Sequence, residues 1–182
     1  MKKILTLAVI AIAYVTAASA QVFVGGSFSL ERNTTKNETN FTIAPEIGHN
    51  FNSKTAIGGT LEFTHNYSDG ISTNIFSVNP YFRYKFLHAA DGRLTIFVDT
   101  TAGVGIGNAK VGGEKSETAA TWDVGFKPGI AYDLSKHFTI VAHLGFIGYN
   151  GANHAAKYAG FDNKFGIDFS SSNLEFGLSY SF

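Results

Sequence analysis

His143, Glu175 and Ser179 are the nearest this 182-residue chain comes to a base, an acid and a nucleophile of one catalytic set. A serine needs an imidazole within hydrogen-bond reach to lose its proton, and the imidazole needs a carboxylate to hold its tautomer. Other ionisable residues could do acid–base work or guide ions: Glu46, Glu62, Asp99 and Asp123, with Arg83, Lys85 and Lys127 as their cations. Thiol chemistry, disulfides and thiolate-held metals are excluded, because the chain has no cysteine. No His-x-His or His-Glu-x-x-His spacing offers a zinc site, so neither a metal nor a cofactor is expected. Gly103 to Gly107 alternates as Gly-x-Gly-x-Gly and lacks the last spacing of a dinucleotide-binding loop. With 14 basic and 14 acidic residues the formal charge is zero, which leaves no footprint for nucleic acid.

Positioning these groups requires knowing the elements that carry them. Residues 1–20 read as a secretory signal peptide rather than as structure. Lys2 and Lys3 precede an apolar stretch from Ile4 to Val15, and Ala18-Ser19-Ala20 offers a small-residue cleavage site between Ala20 and Gln21. The remaining domain, residues 21–182, shows almost no helical period. Apolar residues recur at every second position in eight runs: Val22–Leu30, Phe41–Phe51, Thr55–Tyr67, Asn74–Phe86, Leu94–Gly107, Ala119–Tyr132, Phe138–Tyr149 and Ser172–Phe182. Nearly all reach the 9–11 residues or so that a tilted strand needs to cross a bilayer.

The charges tell the two faces apart. Glu46, Glu62, Arg83, Lys85, Asp99, Asp123, Lys127 and Glu175 fall inside the runs, each opposite the apolar face. The charge-bearing face also collects Gly58, Gly103, Gly125, Gly129 and Gly177, while the apolar face carries large side chains. Small and polar residues suit the inside of a narrow barrel, and large apolar ones suit lipid outside. Aromatic residues gather towards both ends of the runs, as interfacial girdles would. One girdle includes Phe51, Tyr84, Phe86 and Tyr180; the other includes Phe28, Phe63, Phe76, Trp122 and Phe146. The expected fold is an all-β, eight-stranded antiparallel up-and-down transmembrane barrel. Its shorter turns lie at the end holding both termini, and four polar loops lie opposite, near residues 31–40, 68–73, 108–118 and 150–171.

The last eight residues, Glu175-Phe176-Gly177-Leu178-Ser179-Tyr180-Ser181-Phe182, resemble the terminal signal of bacterial outer-membrane barrels. Gly177, Tyr180 and Phe182 carry that likeness: a glycine, then aromatics two apart, ending on phenylalanine. Leader, eight amphipathic runs and terminal signal together resemble the small OmpA/OmpX-type proteins of the Gram-negative outer membrane. The resemblance implies recognition by the barrel assembly machinery, contact with outer-membrane lipid and lipopolysaccharide, and extracellular loops; a monomer is expected. Lipid A-modifying barrels of the deacylase kind place a His-x-Ser pair on a strand, and this chain has none.

Eight strands leave little lumen beyond their own side chains. Inward charges there must pair and hydrogen-bond. Glu46, Glu62, Arg83, Lys85, Asp99, Asp123, Lys127, His143 and Glu175 therefore read as a salt-bridged polar plug, with His143 a member of that network rather than a catalytic base. The expected role is non-enzymatic: envelope structure, with loops presented for adhesion or ligand contact. The alternatives are a narrow porin-like path for small solutes, a lipid A-modifying enzyme, and a secreted lipocalin-like binding barrel.

Overall fold

Short polar side chains set the turns at one end of the molecule. Asn52 Oδ1 accepts from the backbone N–H groups of Lys54 and Thr55 at 2.8 and 2.9 Å, and Ser135 Oγ accepts from those of His137 and Phe138. Between Ala89 and Arg93 the chain reverses through three left-handed residues, Ala90, Asp91 and Gly92. A computed structural model of the chain describes residues 21–34, 37–68, 71–111, 114–158, 161–170 and 174–182. The expected leader lies outside these residues, except that Gln21 begins them.

Six long strands come first: β1 (Val22–Asn33), β2 (Glu38–Asn50), β3 (Thr55–Ser68), β4 (Ile71–Ala89), β5 (Leu94–Val111) and β6 (Glu114–Asp133). After them come β7 (Phe138–His143), β8 (Phe146–Ala152), a short helix α1 (His154–Tyr158), β9 (Lys164–Asp168) and β10 (Glu175–Ser181). Each strand pairs antiparallel with the next from β1 to β7; β10 then pairs with β7 and with β1, closing a ring of eight. The first and last strands are held from Phe23↔Ser181 to Phe28↔Phe176.

The barrel is inside-out. Along β5, Thr95, Phe97, Asp99, Thr101, Gly103 and Gly105 are buried, while Ala102, Val104 and Ile106 between them are exposed. Exposed large apolar residues continue around the outside, among them Phe28, Ile43, Leu61, Phe82, Val124 and Leu178. A soluble monomer rarely exposes a contiguous apolar patch beyond a few hundred Å². A full belt of this kind calls for an apolar covering, which a bilayer supplies.

Three features depart from expectation. The strands run further than their apolar residues do, so β1 ends at Asn33 and β2 resumes at Glu38, within what reads as a loop. Similarly, β3 reaches Ser68 before β4 starts at Ile71, and β5 reaches Val111 before β6 starts at Glu114. Backbone pairing needs no alternation of side chains, so the polar stretches continue the ladders beyond the apolar belt. Second, the seventh run is broken. Gly145, at φ 155°, lies where the register against β6 slips by one residue, from Ala142↔Ile130 to Ile147↔Phe126. The slip reverses the faces, and Phe146, expected in the outer girdle, is buried inside at 5% exposure.

The third departure concerns the last strand. β9 pairs with β8 but with no other strand among the described residues, and β1 above Phe28 pairs only with β2. Among the described residues, no ladder joins β9 to β1 in the upper part of the wall.

Candidate functional site

The lumen side chains come from every second residue of adjacent strands, so the ladder register decides who meets whom. Arg83 on β4 lies directly across from Asp99 on β5, and Asp99 across from Lys127 on β6. His143 on β7 lies across from Glu175 on β10. These residues form two tiers.

The lower tier centres on Arg83, only 6% exposed. Its Nε and Nη2 donate to the two carboxylate oxygens of Asp99 at 2.7 and 2.8 Å, a bidentate pair. Nη2 also reaches Glu46 Oε1 at 3.3 Å, and the Tyr81 hydroxyl donates to the same oxygen. The guanidinium carbon lies 4.2 Å from the centroid of the Phe97 ring and 4.9 Å from that of Tyr81, with Phe23 at 5.9 Å. Cation–π contact adds to ion pairing at this buried guanidinium. His143 Nε2 meets Asp99 Oδ2 at 2.9 Å from above, and its ring stands edge-on to Phe97.

The upper tier is looser. Lys127 Nζ reaches Glu175 Oε1 at 3.3 Å rather than its cross-strand neighbour Asp99, whose oxygens Arg83 and His143 already occupy. Glu62 accepts from Thr64 Oγ1 at 3.1 Å and Asn79 Nδ2 at 3.3 Å. His143 Nδ1 lies 4.0 Å from Glu175 Oε2, which links the tiers. Asp123 stands higher, beside Gly103, and Lys85 stands apart near the turn end, donating to Asn50 Oδ1 at 2.7 Å.

Of the nine charged or imidazole residues singled out from sequence, the structure therefore joins Glu46, Arg83, Asp99 and His143 directly. It pairs Lys127 with Glu175 above them, holds Glu62 at the same level through Thr64 and Asn79, and leaves Asp123 higher and Lys85 outside. Tyr81, Phe97, Phe23 and Asn79 complete the site and were missed, although each shares the inward parity of a charged residue on the same or a neighbouring strand. Ser179 is buried four positions below Glu175, opposite Thr139, while the His143 nitrogens face Asp99 and Glu175. The spacing that suggested a nucleophile set thus places its serine and histidine on different levels.

Three cavities follow the lumen. One of about 240 Å³ lies above, lined by Glu62, Asp123, Lys127 and Phe146. A small one of about 40 Å³, room for a few waters, separates the tiers among Glu46, Asp99, His143 and Glu175. One of about 330 Å³ opens at the turn end below Arg83. Between the last two stand Arg83 and the rings around it.

Glycine on the facing strands makes room for those rings. A Cβ at Gly129 would strike the Phe97 ring and come within 2.9 Å of the Ala142 carbonyl, which the ladder fixes. We expect Gly129→Val to cost about 1–3 kcal/mol through overpacking, read as a lower midpoint of urea unfolding in detergent; an unchanged midpoint would mean that the ring packing is slack.

No protein-family model matches the chain, and no curated protein does either. Among solved structures, the crystal structure of Neisserial surface protein A (NspA) is similar, with a TM-score of 0.56 at 13% identity. The alignment covers 88% of this chain and 96% of that one. The Yersinia pestis outer membrane protein Ail, in a phospholipid bilayer nanodisc, aligns over 90% of this chain and all of its own at 13% identity and a TM-score of 0.44. The closed ring of eight strands and the likeness to NspA along almost all of both chains give this protein the fold of the small eight-stranded outer-membrane β-barrels.

Proposed function

We propose that the protein is a non-enzymatic integral protein of the bacterial outer membrane, with a sealed lumen and an outward end that makes surface contacts. The observation that carries this reading is the closed tier at Arg83, set inside a barrel whose outside is apolar. A buried bidentate pair stacked on aromatic rings holds one geometry, whereas a solute path would need polar groups with water between them. Under this reading residues 1–20 are cleaved after Ala20. Gly177, Tyr180 and Phe182 present the last strand to the assembly machinery, and the turn end faces the periplasm. The barrel stands as a monomer among outer-membrane lipid and lipopolysaccharide.

The opposite end would offer the protruding strand tips and the segment from α1 to β9, whose Phe165, Ile167 and Phe169 are exposed. Adhesion or ligand contact belongs there rather than to long loops, since the strands occupy most of the expected loop residues.

A narrow diffusion path is the second reading, favoured by the cavities that approach the Arg83 tier from both sides. Planar-bilayer recording of the detergent-folded protein separates the two. We expect no steady openings, with folding verified by a heat-modifiable band on SDS gels. Steady conductance altered in Arg83→Ala would replace the seal by a gate. Recovery of the native protein in the soluble periplasmic fraction would instead favour a secreted binding barrel.

A further inference from the structure

The turn-end cavity differs in sign from the rest of the lumen. Lys85, His88 and Lys136 line it, together with Asp133 and several hydroxyl groups. Arg83, Phe97 and Phe23 line it on the side of the lower tier, and we call it the cup. Arg83 is already matched by Asp99 and Glu46. The one acid of the cup, Asp133, accepts from Thr139 Oγ1 at 2.6 Å. No carboxylate among the described residues lies within ion-pair distance of Lys85 or Lys136. Lys85 spends a single donor, on Asn50 Oδ1, although an ammonium carries three. Across the Arg83 tier the upper cavity carries Glu62, Asp123, Asp162 and Glu175 against Lys127 alone. Among the described residues that line the lumen cavities, ammonium groups without a carboxylate in ion-pair distance occur only at this one.

Like charges that face one cavity with low-dielectric walls repel each other and concentrate counter-anions between them. A half-buried ammonium with unused donors gains most from an ionised acceptor, through charge-assisted hydrogen bonds. The volume matches the lower range of small-molecule sites. We propose that the cup is a binding site for a small oxyanion, a carboxylate or phosphate group, held by Lys85 from the wall and Lys136 from the rim. The chemistry of the cup does not depend on which side of the membrane it faces, so the inference stands apart from the surface role above.

The test uses the folded, ¹⁵N-labelled protein in non-ionic detergent at constant ionic strength. Three probes are titrated: sodium phosphate, an acetylated dialanine with a free carboxylate, and the same peptide as its amide. The expected result is saturable amide shifts at Thr95, Thr139 and Ser181 with at least one oxyanion and none with the amide. Saturation by phosphate alone or by the peptide acid alone supports the site and identifies the source of its ligand. Lys85→Met should weaken that binding at least tenfold and Lys136→Ala at least threefold. Lys54→Ala, at the same end but outside the cavity lining, should change it less than twofold. Lys136 is an exposed turn residue, so its variant remains informative even where Lys85→Met fails to give a heat-modifiable band. Shifts that never saturate, or that respond equally to Lys54→Ala and Lys136→Ala, would reduce the cup to diffuse positive charge and overturn the proposal, as would equal binding of the amide.

Discussion

Arg83→Met is expected to lower the unfolding free energy of the barrel by about 3–5 kcal/mol, the range for removing one partner of a buried ion pair. Met keeps the apolar stem but stops short of the guanidinium, so the loss combines the charge with the stacking on Phe97 and Tyr81. What remains is two acids facing one another, Asp99 at 2% exposure and Glu46 beside it. His143 still reaches Asp99 but cannot serve both carboxylates. Arg83→Lys should recover part of the loss, because an ammonium keeps the charge but forfeits the two parallel bonds and the flat stacking between rings. Adding Asp99→Leu to Arg83→Met should cost less than the sum of the two single changes, as coupled partners do. Urea titration in detergent, followed through Trp122, the only tryptophan, measures all four proteins. A loss below about 1 kcal/mol, the range of exposed pairs, would show that water reaches the pair and that the tier is not a seal.

That tier shows how far sequence could lead. Parity along a strand is local, so the inward placement of Glu46, Arg83, Asp99 and Lys127 is legible from alternation alone, and so is the closed, inside-out architecture. Which inward residues meet depends on the register of eight ladders and on the reach of each side chain. Asp99 has both Arg83 and Lys127 as direct neighbours, and only competition for its two oxygens sends Lys127 upward to Glu175. Charge alone does not reveal the inward aromatics, although Phe97 has the parity of Asp99 and Tyr81 that of Arg83. Phe146 marks the other limit. A one-residue slip at Gly145 reverses every face beyond it, and an apolar run with a glycine in the middle reads the same with or without the slip. The long strand tips were hidden for a related reason: a ladder held by backbone groups leaves no alternation to read.

Ala102→Arg provides the sharpest test of what covers the outside. Ala102 is exposed on β5, one position from Thr101, which pairs with Tyr81, and two from Val104, which pairs with Val78. It therefore lies midway between the aromatic residues Tyr84 and Phe76 that bound the apolar belt on β4. In water, a charged substitution at an exposed strand position changes stability by no more than about 0.5 kcal/mol. At the midplane of a bilayer the same arginine costs about 2–4 kcal/mol, falling to about 0–1 near the interfaces. We therefore expect Ala102→Arg to lose about 2–4 kcal/mol when the barrel is unfolded from lipid vesicles. Leu134→Arg, in the exposed turn between β6 and β7, should lose less than about 1 kcal/mol. The contrast between the two positions carries the argument, since propensity and side-chain size are shared by any arginine. Equal, small losses would mean that the belt faces water rather than lipid, which would overturn the transmembrane placement. A large loss at Ala102 alone fixes the height of the barrel in the bilayer and ties the alternation first visible in the sequence to the solvent that selects it.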